Sequence, residues 1–359
     1  MKNLAIYIPS IESGGVEKNL FNIANYLSNR NINVYIITAN NNKKKDFNSK
    51  IKFISPNNNT WNNRSRFIKS LICFFLFIFK VNKSNLSILS FQSNLSAIIL
   101  AKIFFLKIII RLNTSLDKYI EGVLKKLIFK IIYNLSNNII VNSIDFKKNL
   151  KKILKLNSTI IFNPTDFNKK FKQKKIKYFR KFKGIKILSI GRLTSQKDQM
   201  TILKSLNILK NKINFKFFLI GRGDEIKKLK MFVLENKISK KVKFGGYVKN
   251  AHHFMNSADL FILSSKFEGL PNVLIEAQSQ GIPIVSSDCS TGPKEILLSG
   301  KLGELFKVGD YVRLSEIIIK YSKNKSFFLK KTTLAKKYLY RYDYYTNLNK
   351  YYNTIRTIL

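Results

Sequence analysis

Acidic residues are scarce in this chain. Twenty Asp and Glu stand against 65 Lys and Arg in 359 residues, a formal net charge of +45. A surface so basic attracts polyanions: nucleic acid, anionic lipid or phosphorylated substrates. Heavy use of Lys, Asn, Ile and Phe is also what a coding sequence rich in A and T produces, so charge alone assigns no partner. Cysteine is scarcer still. Cys73 and Cys289 lie far apart in unlike contexts, which excludes a disulfide framework and metal-ligand spacing and points to a reducing compartment. The two histidines, His252 and His253, sit side by side in the second half and read as helix-surface residues. Long apolar runs are missing too. The strongest, FIKSLICFFLFIFKV at 67–81, is uncharged only between Lys69 and Lys80. That is about half of the roughly 20 residues a spanning helix needs. A second run, 96–112, is broken by Lys102 and Lys107. The start, MKNLAIYIPSIESGG, reads as a first strand and not as a signal peptide, whose apolar region is longer.

What is present is an alternation of short apolar runs with longer amphipathic ones, the mark of βαβ units and parallel sheets. Strands are predicted at 4–9, 32–38, 86–91, 107–112, 138–143 and 159–163, with the clearest helix at 15–30. A Lys-dense stretch opening after Pro164 breaks the pattern, and 165–184 reads as a linker. A second alternation follows, with strands at 185–191, 215–221, 241–247, 259–265, 282–287 and 302–307. The expected class is therefore α/β, two doubly wound Rossmann-like domains facing across a cleft. Residues 1–164 form the first and 185–335 the second, with a C-terminal helix at 336–359 packing back on the first. Ligands of such sheets bind at the carboxyl ends of the strands.

Three strand-to-helix loops in the second half carry candidate chemistry. In SIGRLTSQKDQ (189–199) a Gly permits a close turn, and Arg192 and Lys197 can converge on a diphosphate near a helix start. LIGRGDEIKKL (219–229) has the look of a nucleotide loop without spelling GxGxxG. SKFEGLPNVLIEAQSQGIP (265–283) places two of the chain's few acids, Glu268 and Glu276, eight residues apart around a loop and a helix start. Backbone amides of Gly269, Leu270 and Asn272 could face a ligand there, and Pro271 suits a first helical turn.

GRLTSQKD, then FEGLPNVLIE, AQSQGIPIVSSDC and GPKEIL, in that order, resemble the retaining glycosyltransferases of the GT-B fold, family 4. The resemblance covers essentially the whole chain. It implies a sugar-nucleotide donor held mostly by the second domain, with no metal or other cofactor required. Position by position it implies that Arg192 and Lys197 hold the donor diphosphate and that Glu276 takes the ribose hydroxyls. Glu268 would stand near the donor sugar as the catalytic acid, with Gly269, Leu270 and Asn272 touching donor hydroxyls. GGVEK near the start matches the family's Gly-rich loop, so Gly14 and Gly15 are expected near diphosphate and acceptor. Fixed cationic donors would stabilise the departing diphosphate, and a carboxylate the positive charge at the anomeric carbon.

Many relatives place a His of the first domain near the donor sugar. Here both His lie in the second half, so that role is absent or otherwise filled, with Arg111 and Asn113 as candidates. Ser143 and Val248 are further cleft candidates. The sub-pattern EGLPNVLIEA with DCSTGPKEIL resembles the members that build surface polysaccharide, lipopolysaccharide and lipid-linked glycans. It implies a hexose or N-acetylhexosamine carried on UDP and an acceptor that is a growing glycan or a polyprenyl-diphosphate-linked one. The expected location is cytoplasmic, peripheral on the inner membrane face. Arg64, Arg66, Lys69, Lys80 and Lys83 flank the run at 67–81, the signature of an interfacial face; a buried helix is the alternative. Two other readings are a UDP-sugar epimerase of the same architecture and a basic nucleic-acid-binding protein. No motif that reads nucleic acid accompanies the charge, so no nucleic-acid partner is expected.

Overall fold

The computed structural model describes every residue except 1, 13, 41–43, 59, 115, 117–119, 168–174 and 249. The Lys-dense middle of the expected linker, 168–174, thus lies outside the described residues. The chain divides into two compact units, residues 1–164 with 344–359, and residues 165–343.

The first unit is built on a parallel sheet, among the described residues of seven strands: β1 (Lys2–Tyr7), β2 (Ile32–Ile37), β3 (Lys52–Ile54), β4 (Leu86–Ser90), β5 (Lys107–Arg111), β6 (Asn138–Val141) and β7 (Thr159–Ile160). Their order is β3-β2-β1-β4-β5-β6-β7. The central strands are near-continuous apolar runs because helices cover both faces. These helices are α1 (Gly15–Ser28), α2 (Arg66–Lys80), α3 (Asn94–Ile103), α4 (Val123–Asn134) and α5 (Ile144–Leu154). β3 escapes the sequence pattern: three residues, KFI, are too few to show a period.

In the second unit six parallel strands follow among the described residues: β8 (Ile185–Ile190), β9 (Phe215–Ile220), β10 (Val242–Gly246), β11 (Leu260–Leu263), β12 (Ile284–Ser287) and β13 (Glu304–Phe306). They lie in the order β10-β9-β8-β11-β12-β13. Between them run α6 (Gln199–Leu209), α7 (Ile226–Glu235), α8 (Asn272–Ser279) and α9 (Pro293–Ile296), and after them α10 (Tyr311–Lys323) and α11 (Lys325–Lys337). Strand order reverses beside β1 in one sheet and beside β8 in the other, the place where doubly wound sheets open a crevice at their carboxyl ends.

The last helix, α12 (Tyr344–Arg356), belongs to the first unit. It buries Leu348, Tyr351 and Ile355 in the same core cluster as Leu20 and Ile23 of α1. Arg111, wholly buried at the end of β5, donates Nε to the Tyr351 hydroxyl at 2.7 Å and Nη2 to Asn163 Oδ1 at 2.8 Å. A buried guanidinium is tolerable only with such partners. Tyr351→Phe should therefore cost about 1.5–3 kcal/mol, the worth of a hydrogen bond to a charged group. A lowered urea midpoint is the readout.

Candidate functional site

The site in the second unit is assembled by backbone before side chains. Where β8 and β9 end, Gly191 N donates to Ile220 O at 3.0 Å, and Leu193 N to Arg222 O at 2.9 Å. Gly221 is required by this approach: a Cβ there would stand 1.8 Å from the Gly191 carbonyl oxygen. The loop 191–198 is tied in turn to the loop after β11. Gln196 Nε2 donates to Phe267 O at 2.9 Å, and Lys266 N to Gln196 O at 2.8 Å. Ser264 Oγ lies 3.0 and 2.8 Å from the carbonyl oxygens of Lys197 and Asp198 and shares its one proton between them. Two loops from neighbouring strands thereby hold each other in one geometry.

Side chains then meet across that seam. Lys197 Nζ lies 2.5 Å from Glu268 Oε1, and the two side chains keep only 14% and 8% of their exposure. Ser265 Oγ donates to the same carboxylate oxygen at 2.6 Å. The loop after β12 closes the third side. Thr291 Oγ1 donates to Glu268 O at 2.5 Å, and Ser287 Oγ to Ser265 O at 2.6 Å. An ammonium carries three N–H donors, and Glu268 occupies one of them. The geometry thus presents a fixed cation and a fixed anion at the carboxyl ends of adjacent strands.

Gly269 and Leu270 are buried in the same loop, Asn272 starts α8, and Pro271 stands just before it. Glu276 is half-buried on α8, whose Leu274, Ile275, Ala277 and Gln278 face the interior. Gly292 has φ +89°, and a Cβ there would lie 2.3 Å from the Gly269 carbonyl oxygen. Gly292→Ala should therefore displace the Gly269 backbone or the helix start. The expected result is at least a tenfold loss of ligand affinity (about 1.4 kcal/mol) with the fold retained, measured by calorimetry beside circular dichroism.

Arg192 is exposed on the first of these loops, and its carbonyl accepts from Gln199 Nε2 at 2.9 Å. Val248 lies half-buried after β10, next to Tyr247. The Arg222 guanidinium stands 4.7 Å from the centre of the Tyr247 ring, a flat cationic and aromatic pair at the ends of β9 and β10. The sequence reading named the two loops, GRGDE with Arg222 and GGYVKN (245–250) with Tyr247 as a grip for the base, but not their pairing, nor Ser264, Ser265 and Thr291. Small hydroxylated residues at strand ends were the available signal.

The remaining candidates lie in the first unit. Gly14 is extended (φ −160°) and precedes α1, which begins at Gly15. Asn113 donates to Phe91 O at 2.6 Å. Ser143 is fully buried and caps α5 by accepting from Phe146 N at 3.1 Å. Arg111 and Ser143 are thus both engaged in holding the first unit together. Among the described residues no group of three or more His, Cys, Asp and Glu is arranged to hold a metal ion.

Residues 170–339 match the family of glycosyl transferases group 1. Over 197 residues the chain is 32% identical to an uncharacterized glycosyltransferase of Methanocaldococcus jannaschii, covering 52% of this chain and 48% of that one. It is 29% identical to the lipopolysaccharide 1,6-galactosyltransferase of Escherichia coli over 37% of this chain and 38% of that one. The chain thus spans about half or less of the length of these curated relatives. The crystal structure of HepE from Anabaena with UDP-glucose superimposes with a TM-score of 0.81 over 99% of this chain and 100% of that one. At 17% identity that likeness is one of fold.

Proposed function

We propose that this chain, whose residues 170–339 in the second unit match the group 1 glycosyl transferases, moves a hexose or N-acetylhexosamine from a UDP-linked donor to a growing glycan. The observation that carries the reading is the Lys197–Glu268 pair at 2.5 Å, fixed where three strand-end loops interlock. Lys197, with Arg192 on the same loop, neutralises the donor diphosphate. Glu268 faces the donor sugar, and Glu276 takes the ribose hydroxyls. The Arg222–Tyr247 pair offers a flat face for the base.

In the reaction the bond from anomeric carbon to diphosphate oxygen breaks and the acceptor oxygen bonds to the same face of that carbon. The acceptor's proton passes to the departing diphosphate, so configuration is retained and UDP leaves. Negative charge grows on the diphosphate as the bond breaks, and preorganised cations stabilise that charge more than the ground state. The first unit binds the acceptor, a glycan carried on polyprenyl diphosphate at a membrane surface. Among the described residues no helix is long and apolar enough to cross a membrane.

The test is calorimetric titration of the full chain with UDP-, GDP- and ADP-linked sugars, followed by transfer to lipid-linked acceptors. UDP-sugar binding and acceptor-dependent release of UDP are the expected results. Failure of every nucleotide sugar to bind would overturn the reading. So would interconversion of a UDP-sugar without an acceptor, which is the epimerase outcome.

A further inference from the structure

α2 is capped by Ser65, whose hydroxyl accepts from Ile68 N, and it buries Lys69, Ser70, Cys73 and Phe77. Its other side is not polar, as an ordinary surface helix would require. Phe75 and Phe79 stack on each other there, ring centres 6.4 Å apart, and Phe79 is 78% exposed. The neighbouring α3 ends in a turn where Phe105 adopts φ +54° and is 96% exposed. α4 continues the pattern, and the sequence reading gave it no such part. It buries only Tyr133, while Leu124, Leu127 and Ile131 project outward at three- and four-residue steps. α2, α3 and α4 pack side by side on one face of the sheet, through one core cluster. Their outer faces therefore form a single apolar field, larger than a solitary surface patch needs to be explained away.

Its electrostatics are predominantly basic. Lys80, Lys102, Lys125, Lys126 and Lys130 are exposed on these helices, whereas Lys69 of the expected basic flank is buried, Arg66 is paired with Glu12 at 3.3 Å, and Glu121 is an exposed acid beside α4. Two copies of this face brought together would repel, since each would meet its own charge. A nucleic acid would satisfy the cations and leave the aliphatic stripe of α4 in water. A bilayer surface rich in anionic headgroups satisfies both: the bases meet phosphates while phenyl and leucyl groups enter the acyl boundary.

We infer that the outer faces of α2, α3 and α4 are a built docking surface for an anionic membrane, with α4 as an inserting element beside α2. This deepens the proposed acceptor reading, yet it rests on the first unit alone. Donor binding by the second unit is therefore measured in parallel.

The experiment is flotation of the full chain with vesicles of phosphatidylcholine alone and of phosphatidylcholine mixed with phosphatidylglycerol. The triple variant Leu124→Glu, Leu127→Glu, Ile131→Glu removes the α4 stripe at exposed positions. Met231→Glu with Leu234→Glu, exposed on α7 in the second unit, is the control. Wild type and control should float with the mixed vesicles, and the triple variant should lose at least roughly tenfold in partition while still binding UDP-glucose as wild type does. Equal flotation of wild type and triple variant would overturn the inference, because bulk charge alone would then explain binding. Absence of wild-type flotation at low salt would overturn it too, as would a wild-type dimer dissolved by the triple variant without vesicle binding. Loss of UDP-glucose binding by the wild type itself would strike the donor reading and leave the surface standing.

Discussion

Lys197→Ala should lower kcat for transfer by about a hundred- to a thousandfold, the usual cost of removing one preorganised donor from a charge that grows in the transition state. The ammonium is held by Glu268 at 2.5 Å on a loop whose carbonyls are fixed by Ser264, so it needs no reorganisation when charge develops. The variant also leaves the buried Glu268 carboxylate with Ser265 as its hydroxyl donor, and stability should drop by up to about 3 kcal/mol. These two effects are separable. Lys197→Ala combined with Glu268→Gln removes the stranded charge and should recover much of the melting temperature, while transfer stays as low or falls further. Coupled stability with uncoupled activity marks a pair that is both structural and chemical. Near-normal turnover of the single variant would remove Lys197 from the diphosphate.

Much of this molecule is legible in its residues, and the gaps have physical causes. Strands such as ILSI at the end of β8 and LFIL of β11 announce themselves because both faces of a parallel sheet are buried. The position of Lys197 and Glu268 at strand ends follows from the same alternation. That the two would touch does not, because their contact spans 71 residues of sequence and is set by the order of β8 beside β11. The hydroxyls of Ser264 and Thr291 were equally silent, since their partners are backbone carbonyls, which any residue type supplies. Arg111 shows the opposite problem. A base at a strand end reads as a ligand contact, yet its hydrogen bonds go to Asn163 and to Tyr351, the latter 240 residues away on a helix that returns from beyond the second unit. Periodicity reports burial along one element and says nothing of which distant element arrives opposite it.

Glu276→Ala should fail differently from Lys197→Ala, and that difference is the sharper test of the site. Glu276 sits on α8, held rigid by the buried Leu274 and Ile275 and by Gln278 Nε2 donating to Ile296 O at 3.2 Å. The Glu276 carbonyl already accepts from Gln280 N and Ser279 Oγ, so truncating the side chain leaves the helix backbone intact. A carboxylate can take both hydroxyls of a ribose, each bond worth about 1.5–3 kcal/mol when the acceptor is charged. Losing both should raise the donor KM by about a hundredfold or more. The ribose is remote from the breaking bond and looks alike in ground state and transition state, so kcat should change far less than KM. Glu276→Gln retains one good acceptor and should fall between wild type and Ala. Steady-state kinetics with varied UDP-sugar and saturating acceptor separate the cases. If Glu276→Ala instead lowers kcat at unchanged KM, the acid acts at the anomeric end, and the assignment of the two glutamates must be exchanged.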